Sequence, residues 1–150
     1  MKVDRGRARV KRGPFYAGRL GAMHTGLLQL KLHEQAGLTD FGVNLTTIPP
    51  RNWSSQRHWH HAQDEFVWVI EGELVLVEED GETLLRAGDC AGFAAGVANA
   101  HHLQNRSGRD AVILEIGTKR AEDAIDYPDL DAVADARGLF RRDGRPFGAD

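Results

Sequence analysis

From about Phe41 onward, short runs of β-branched and aromatic residues alternate with turn residues. Val43-Asn44-Leu45-Thr46-Thr47-Ile48 reads as a strand ended by Pro49-Pro50, since proline has no N–H for a sheet ladder. Glu65 to Ile70 and Leu74 to Val77 are two further strand segments. The Glu71-Gly72 pair between them predicts a tight hairpin. Asp80-Gly81 turns the chain into Thr83-Leu84-Leu85, and Gly88-Asp89 turns it again. His101 to Asn105 and Ala111 to Ile116 complete the pattern. Short strands with turns every 8–12 residues predict an all-β sandwich or small barrel.

The flanks are less regular. Gly26 to Gly37 fits a strand or a short helix equally, and Asp129 to Arg137 predicts one or two helical turns. Asp143-Gly144 centres a predicted hairpin that sets Phe140 opposite Phe147. The resulting division is a basic arm and flank over 1–40, a barrel over 41–118, and a packing extension over 119–150.

Composition narrows the class. A chain of 150 residues with 41% hydrophobic and 27% charged residues is the size and make-up of one globular domain. No apolar run approaches the ~20 residues that span a bilayer, and no signal-peptide pattern opens the chain. The single cysteine, Cys90, excludes an internal disulfide framework and predicts a reducing, cytoplasmic location. A net charge of −3 argues against a surface built for nucleic acid. The charge is uneven: Lys2, Arg5, Arg7, Arg9, Lys11, Arg12 and Arg19 stand against Asp4 alone in the first twenty residues. That segment is expected to be a solvated, partly disordered tail, with folding back onto acidic surface as the alternative.

The chemistry concentrates in histidines. His58, His60 and His61 fall within four residues, and His101 and His102 are adjacent. Strand residues two apart share a face, so His58 and His60 present their imidazoles together while Trp59 faces away. Glu65 opens the next strand and can return its carboxylate to the same interior. His101 opens a later one, with Leu103 and Asn105 on its face. Three imidazoles and a carboxylate make a mixed nitrogen and oxygen site suited to a divalent transition metal.

The segment His58-Trp59-His60, four residues, Glu65, six residues, Gly72 resembles the first cupin motif. Gly88, Gly96, His101 and Asn105 take the places of the second, with Ala94 where that motif has proline. Asn52 stands where the first motif opens with glycine, and asparagine tolerates a left-handed backbone. The gap between Gly96 and His101 is two residues longer than the basic pattern, which leaves His101 or His102 as the fourth ligand. The His-x3-Asn spacing favours His101. Arg57 to Glu65, Arg86 to Phe93 and Tyr127-Pro128-Asp129 are similar to a group of small single-domain bacterial cupins, of the cupin 2 conserved-barrel type, without an assigned reaction.

The resemblance implies a double-stranded β-helix, the jelly-roll barrel, holding one metal ion through His58, His60, Glu65 and His101. Fe, Mn, Zn and Ni all suit that set, and four protein ligands leave room for water or substrate. Two functions follow as expectations: a metal-dependent enzyme on a small organic substrate, of oxygenase, isomerase or decarboxylase type, or a non-catalytic small-molecule-binding or sensing module. His61 is expected at the surface, His102 at the surface or an interface, and Cys90 as an ordinary strand residue. Open sheet edges and exposed aromatics predict a homodimer paired through the N-terminal segments, with neither membrane nor nucleic acid as a partner.

Overall fold

The computed structural model describes residues 1–147. The chain opens with β1 (Arg9–Arg12), β2 (Leu28–Lys31) and β3 (Phe41–Ile48). The middle holds β4 (Trp59–His60), β5 (Glu65–Glu71), β6 (Glu73–Glu78), β7 (Gly81–Arg86), β8 (Cys90–Phe93), β9 (His102–Gln104) and β10 (Ala111–Thr118). The end adds β11 (Ile125–Tyr127), β12 (Ala132–Asp135) and β13 (Gly138–Arg141). All pairings are antiparallel. One sheet runs β1-β2-β3-β10-β5-β8, a second β7-β6-β9, and a third β13-β12-β11-β4. The predicted all-β jelly-roll class is the class observed.

Alternation along β5 explains the packing. Val67 and Val69 point inward, while Phe66, Trp68 and Ile70 stand exposed. Across the barrel, Leu74 and Leu76 of β6, Leu85 of β7 and Leu103 of β9 meet Val67, Val69, Ile48 and Ile113 in one apolar cluster. Each such side chain, fully buried, contributes about 1.5–3 kcal/mol.

The hairpin expected at Glu71-Gly72 is not there. β5 pairs with β10 and β8, while β6 pairs with β7 and β9, so these residues turn a corner between two sheets. Gly72 has φ +78°, and a Cβ there would stand 2.7 Å from the Asp110 carbonyl oxygen. Leu74 and Leu76 can face Val67 and Val69 only across a core, which in-plane pairing would prevent. The left-handed turn expected at Asn52 falls one residue earlier, at Arg51 (φ 62°). The Asn52 side chain instead accepts a hydrogen bond from the Gly26 N–H.

The flanks are more ordered than their sequence suggests. The basic segment is not a free tail: β1 adds to β2 as an edge strand. Arg9 binds the Glu34 carboxylate through two nitrogens, at 2.8 and 2.5 Å. The ambiguous Gly26–Gly37 stretch is both strand and turn, β2 followed by a 3-10 turn at His33–Ala36. The helix expected after Asp129 is only the 3-10 turn Pro128–Leu130, closed by left-handed Asp131 (φ 50°) and followed by β12. Alternating Ala132-Val133-Ala134 extends instead because β11 and β13 supply partners on both sides. The terminal turn forms one residue off the expected register, with Phe140 bridged to Pro146 rather than Phe147.

Candidate metal centre

His58, His60, Glu65 and His101 come together at one end of the barrel interior. His58 and His101 are bridged directly, each backbone N–H donating to the other's carbonyl, at 3.2 and 2.9 Å. His60 lies on β4, held against β11 through Ile125. Glu65 opens β5 between Gly117 of β10 and Phe93 of β8. The Phe93 ring lies flat on the His101 ring, with centroids 3.4 Å apart.

The three imidazoles share one arrangement. The Nδ1–H groups of His58 and His101 donate to the carbonyl oxygens of Gln56 and Asn99, each at 2.9 Å. Nδ1 of His60 lies 2.6 Å from the Asp123 carboxylate. With Nδ1 engaged outward, all three Nε2 atoms turn to Glu65: His101 at 2.7 Å, His60 at 3.3 Å and His58 at 3.5 Å. Suitable donor atoms of His58, His60 and Glu65 all lie within 4.8 Å of one another.

A carbonyl oxygen can only accept, so the proton of a neutral His58 or His101 sits on Nδ1. Their Nε2 lone pairs then face a carboxylate, which is repulsive unless positive charge lies between. A divalent ion fits that requirement. Without one, the positive charge must be protons. Burial opposes charge on His60, but Glu65 and then Asp123 outweigh it and push its pKa up to about 9. Burial likewise opposes ionisation of Glu65, yet hydrogen bonds from His101, His58 and His60 hold its carboxyl well below the usual range.

The other histidines differ. His61 is exposed as expected, stacked on Trp59, with Nε2 3.7 Å from Asp126. His102 is not at the surface. Residues 53–55 fold over the outer face of β9, so His102 is buried against Trp53 and hydrogen-bonded to the Ser55 carbonyl. Burial lowers its pKa to about 4. Cys90 is an exposed free thiol on β8.

Several residues around the site were missed in the sequence. Asp123 follows β10 in a polar stretch that resembles any loop, and only the β11–β4 pairing carries it to His60. Tyr16 and Tyr127 meet edge to face at 6.2 Å, with Tyr127 5.8 Å from the His58 ring. Burial raises the pKa of both phenols, so both stay protonated. Arg57 ties the C-terminal segment to the barrel, gripping Asp129 with two nitrogens and Glu79 with one. The Tyr-Pro-Asp signal therefore marks a tether: Asp129 is its anchor and Tyr127 lines the site. A cavity of about 640 Å³ opens onto the cluster.

The family model described as the Cupin domain matches residues 44–117. The chain is 42% identical to a Silicibacter pomeroyi protein described as a cupin-superfamily sugar phosphate isomerase. All of this chain and 98% of that one are covered, with a TM-score of 0.92. A candidate sugar phosphate isomerase from Acidithiobacillus ferrooxidans is 30% identical over 72% of this chain and 69% of its own, with a TM-score of 0.69. The polyketide cyclase RemF from Streptomyces resistomycificus shares the fold alone, at 16% identity, 82% coverage of each chain and a TM-score of 0.64. No curated protein matches the chain.

Proposed function

Because the chain belongs to the cupin superfamily, we propose that it is a metal-dependent isomerase. Its substrate is a small, hydroxylated and phosphorylated carbonyl compound. One divalent transition metal is held by His58, His60, Glu65 and His101. The observation that carries this reading is the convergence of three Nε2 atoms on one carboxylate, with every Nδ1 committed elsewhere. The 42% identical relative described as a sugar phosphate isomerase supports the choice of isomerisation over oxygenation or decarboxylation.

When bound, such an ion polarises a substrate oxygen as a Lewis acid. The protein does the rest. Asp123 and the carbonyls of Gln56 and Asn99 fix the imidazole rings, so that orienting them costs nothing when substrate arrives. Tyr16 and Tyr127 line the same cavity; the Tyr127 hydroxyl donates to Tyr16, which also accepts from the Gln56 N–H and keeps its own O–H for a substrate oxygen. Phe93, flat against His101, shields that imidazole from water.

We also take the chain to form a homodimer. β1 and β8 leave two open edges on the large sheet, and Phe66, Trp68 and Ile70 stand exposed beside β8. A single monomeric species in sedimentation would contradict this. No helix among the described residues is long and apolar enough to cross a membrane. The free thiol of Cys90 supports a reducing, cytoplasmic setting.

The test joins metal content to turnover. His58→Ala and His60→Ala should lose most bound metal, whereas His61→Ala should keep it. Wild-type protein in deuterated water should exchange the hydrogen beside the carbonyl of an aldose or ketose phosphate. Full metal loading with the sugar phosphates bound and recovered unchanged would replace the isomerase with the non-catalytic binding module. Equal metal content in all three variants would refute the ligand set.

A further inference from the structure

The cavity extends well beyond the histidines, and its far wall is the inner face of β1, β2 and β3. Register sets two rows across that wall. One runs Arg9, Lys31, Asn44, Glu115 and Val67; the next runs Lys11, Gln29, Thr46, Ile113 and Val69. Each row is apolar on β5 and cationic on β1. An apolar filling would suffice for a barrel that only had to fold.

The cations there are unequally engaged. Arg9 is taken up by Glu34. Lys11 lies over the Phe15 ring at 4.4 Å, and the half-buried Lys31 ammonium makes no hydrogen bond or ion pair among the described residues. Burial, then Lys11 and Arg9, lower the Lys31 pKa against the opposing pull of Glu115 and Glu34, which marks an ammonium short of water and only partly compensated by nearby carboxylates. Glu115 offers little relief. Its carboxylate accepts hydrogen bonds from Thr46 at 2.5 Å and Gln29 at 2.9 Å, and burial raises its pKa. Between Lys31 and Glu115 in the row sits Asn44, whose Oδ1 is buried without a hydrogen-bond partner. Leaving such an acceptor unmet is unfavourable, since its hydrogen bond to water is lost and not replaced.

Three strand spacings separate β2 from β5, about 14 Å along the sheet, and long side chains from both reach into the space between. We propose that Lys11 and Lys31 form the subsite for the substrate's phosphate group, and that Asn44 Oδ1 accepts a hydrogen bond from one of its hydroxyls. The inference rests on the isomerase reading and deepens it by orienting the substrate. The phosphate lies toward β1 and β2, and the reacting carbons lie toward Glu65. Two ammonium groups on a phosphate dianion make charge-assisted hydrogen bonds, and the dianion supplies the direct ion pair that Lys31 does not make with Glu115 or Glu34.

Calorimetric titration of the full chain with inorganic phosphate tests this, with metal content measured on the same samples. Lys31→Gln and Lys11→Gln should each weaken phosphate binding by about tenfold or more, with metal content unchanged. Arg86→Gln, an exposed charge on β7, should bind as wild type does. Chelator-treated protein should keep its phosphate affinity. Asn44→Ala should bind inorganic phosphate normally but lose any advantage of glycerol 3-phosphate over it. An unchanged advantage removes Asn44 from the subsite. Wild-type affinity in both lysine variants, no binding by wild type, or binding that vanishes with the metal would overturn the proposal. Protein that takes up no metal even when metal is supplied, yet still holds phosphate through Lys31, would keep the subsite and discard the metal-dependent reading. Full metal loading with no effect of either lysine would do the reverse.

Discussion

His101 and His102 are neighbours in the chain, and each is only 5% exposed. Each places Nδ1 2.9 Å from a backbone carbonyl, Asn99 for one and Ser55 for the other. They part at Nε2. In His101 it faces the Glu65 carboxylate at 2.7 Å; in His102 it accepts from the Gln104 side-chain amide at 2.9 Å. A neutral amide completes a neutral imidazole, so His102 is satisfied as it stands. A carboxylate facing a lone pair does not complete His101, and positive charge is required between them. Burial alone therefore does not mark a ligand; the partner on the inner nitrogen does. His24 falls on the side of His102, with Nδ1 on the Trp53 carbonyl and Nε2 beside the Gln56 amide.

The largest expected effect breaks this comparison at its centre. His101→Ala should lower metal affinity by more than ~100-fold, since even partners behind the ligands typically account for 10–100-fold. His102→Ala should leave metal content intact and instead destabilise the fold by about 1–3 kcal/mol, through unpaired polar groups. Metal content and urea denaturation of both variants separate the two roles. Next in size is Asp123→Asn, which keeps the shape but removes the charge on His60 Nδ1. A loss of ~10–100-fold in metal affinity is expected, and unchanged affinity would make Asp123 a bystander.

The smallest effect concerns acid. The unfolded chain protonates histidine near 6.5. Burial holds His24 below that value and His102 at about 4. The unfolded state therefore binds more protons once the pH falls below about 6.5. Stability from these two residues is complete above that pH and declines as acid is added, toward the folded-state value of His102. His24→Gln should flatten part of the decline in melting temperature between neutral pH and pH 5. An identical decline in wild type and variant would show that His24 carries none of it.

How much of this was legible follows from what each segment needed to know. The His58, His60 and Glu65 spacing lies within one short stretch of chain, around β4 and the start of β5. Strand periodicity and the four-residue connection therefore suffice to bring those side chains together, although β4 and β5 belong to different sheets. The fate of His102 depends on the Trp53–Ser55 loop folding back over β9, a contact between distant segments that no local pattern carries. Glu71-Gly72 misleads because a hairpin and a corner between sheets ask for the same turn residues. β1 is hidden for another reason: Arg-Val-Lys-Arg is exposed at all four positions, so it has no buried face to show. Asp123 and Lys31 are ordinary polar residues until the β11–β4 pairing carries one to His60 and the β2–β3 pairing carries the other to the cavity.

Anomalous diffraction from a manganese-soaked crystal addresses the metal centre most directly. The account predicts one strong peak per chain, bounded by the Glu65 carboxylate and the Nε2 atoms of His58, His60 and His101. No peak there at saturating manganese, or a peak held by other residues, would contradict it.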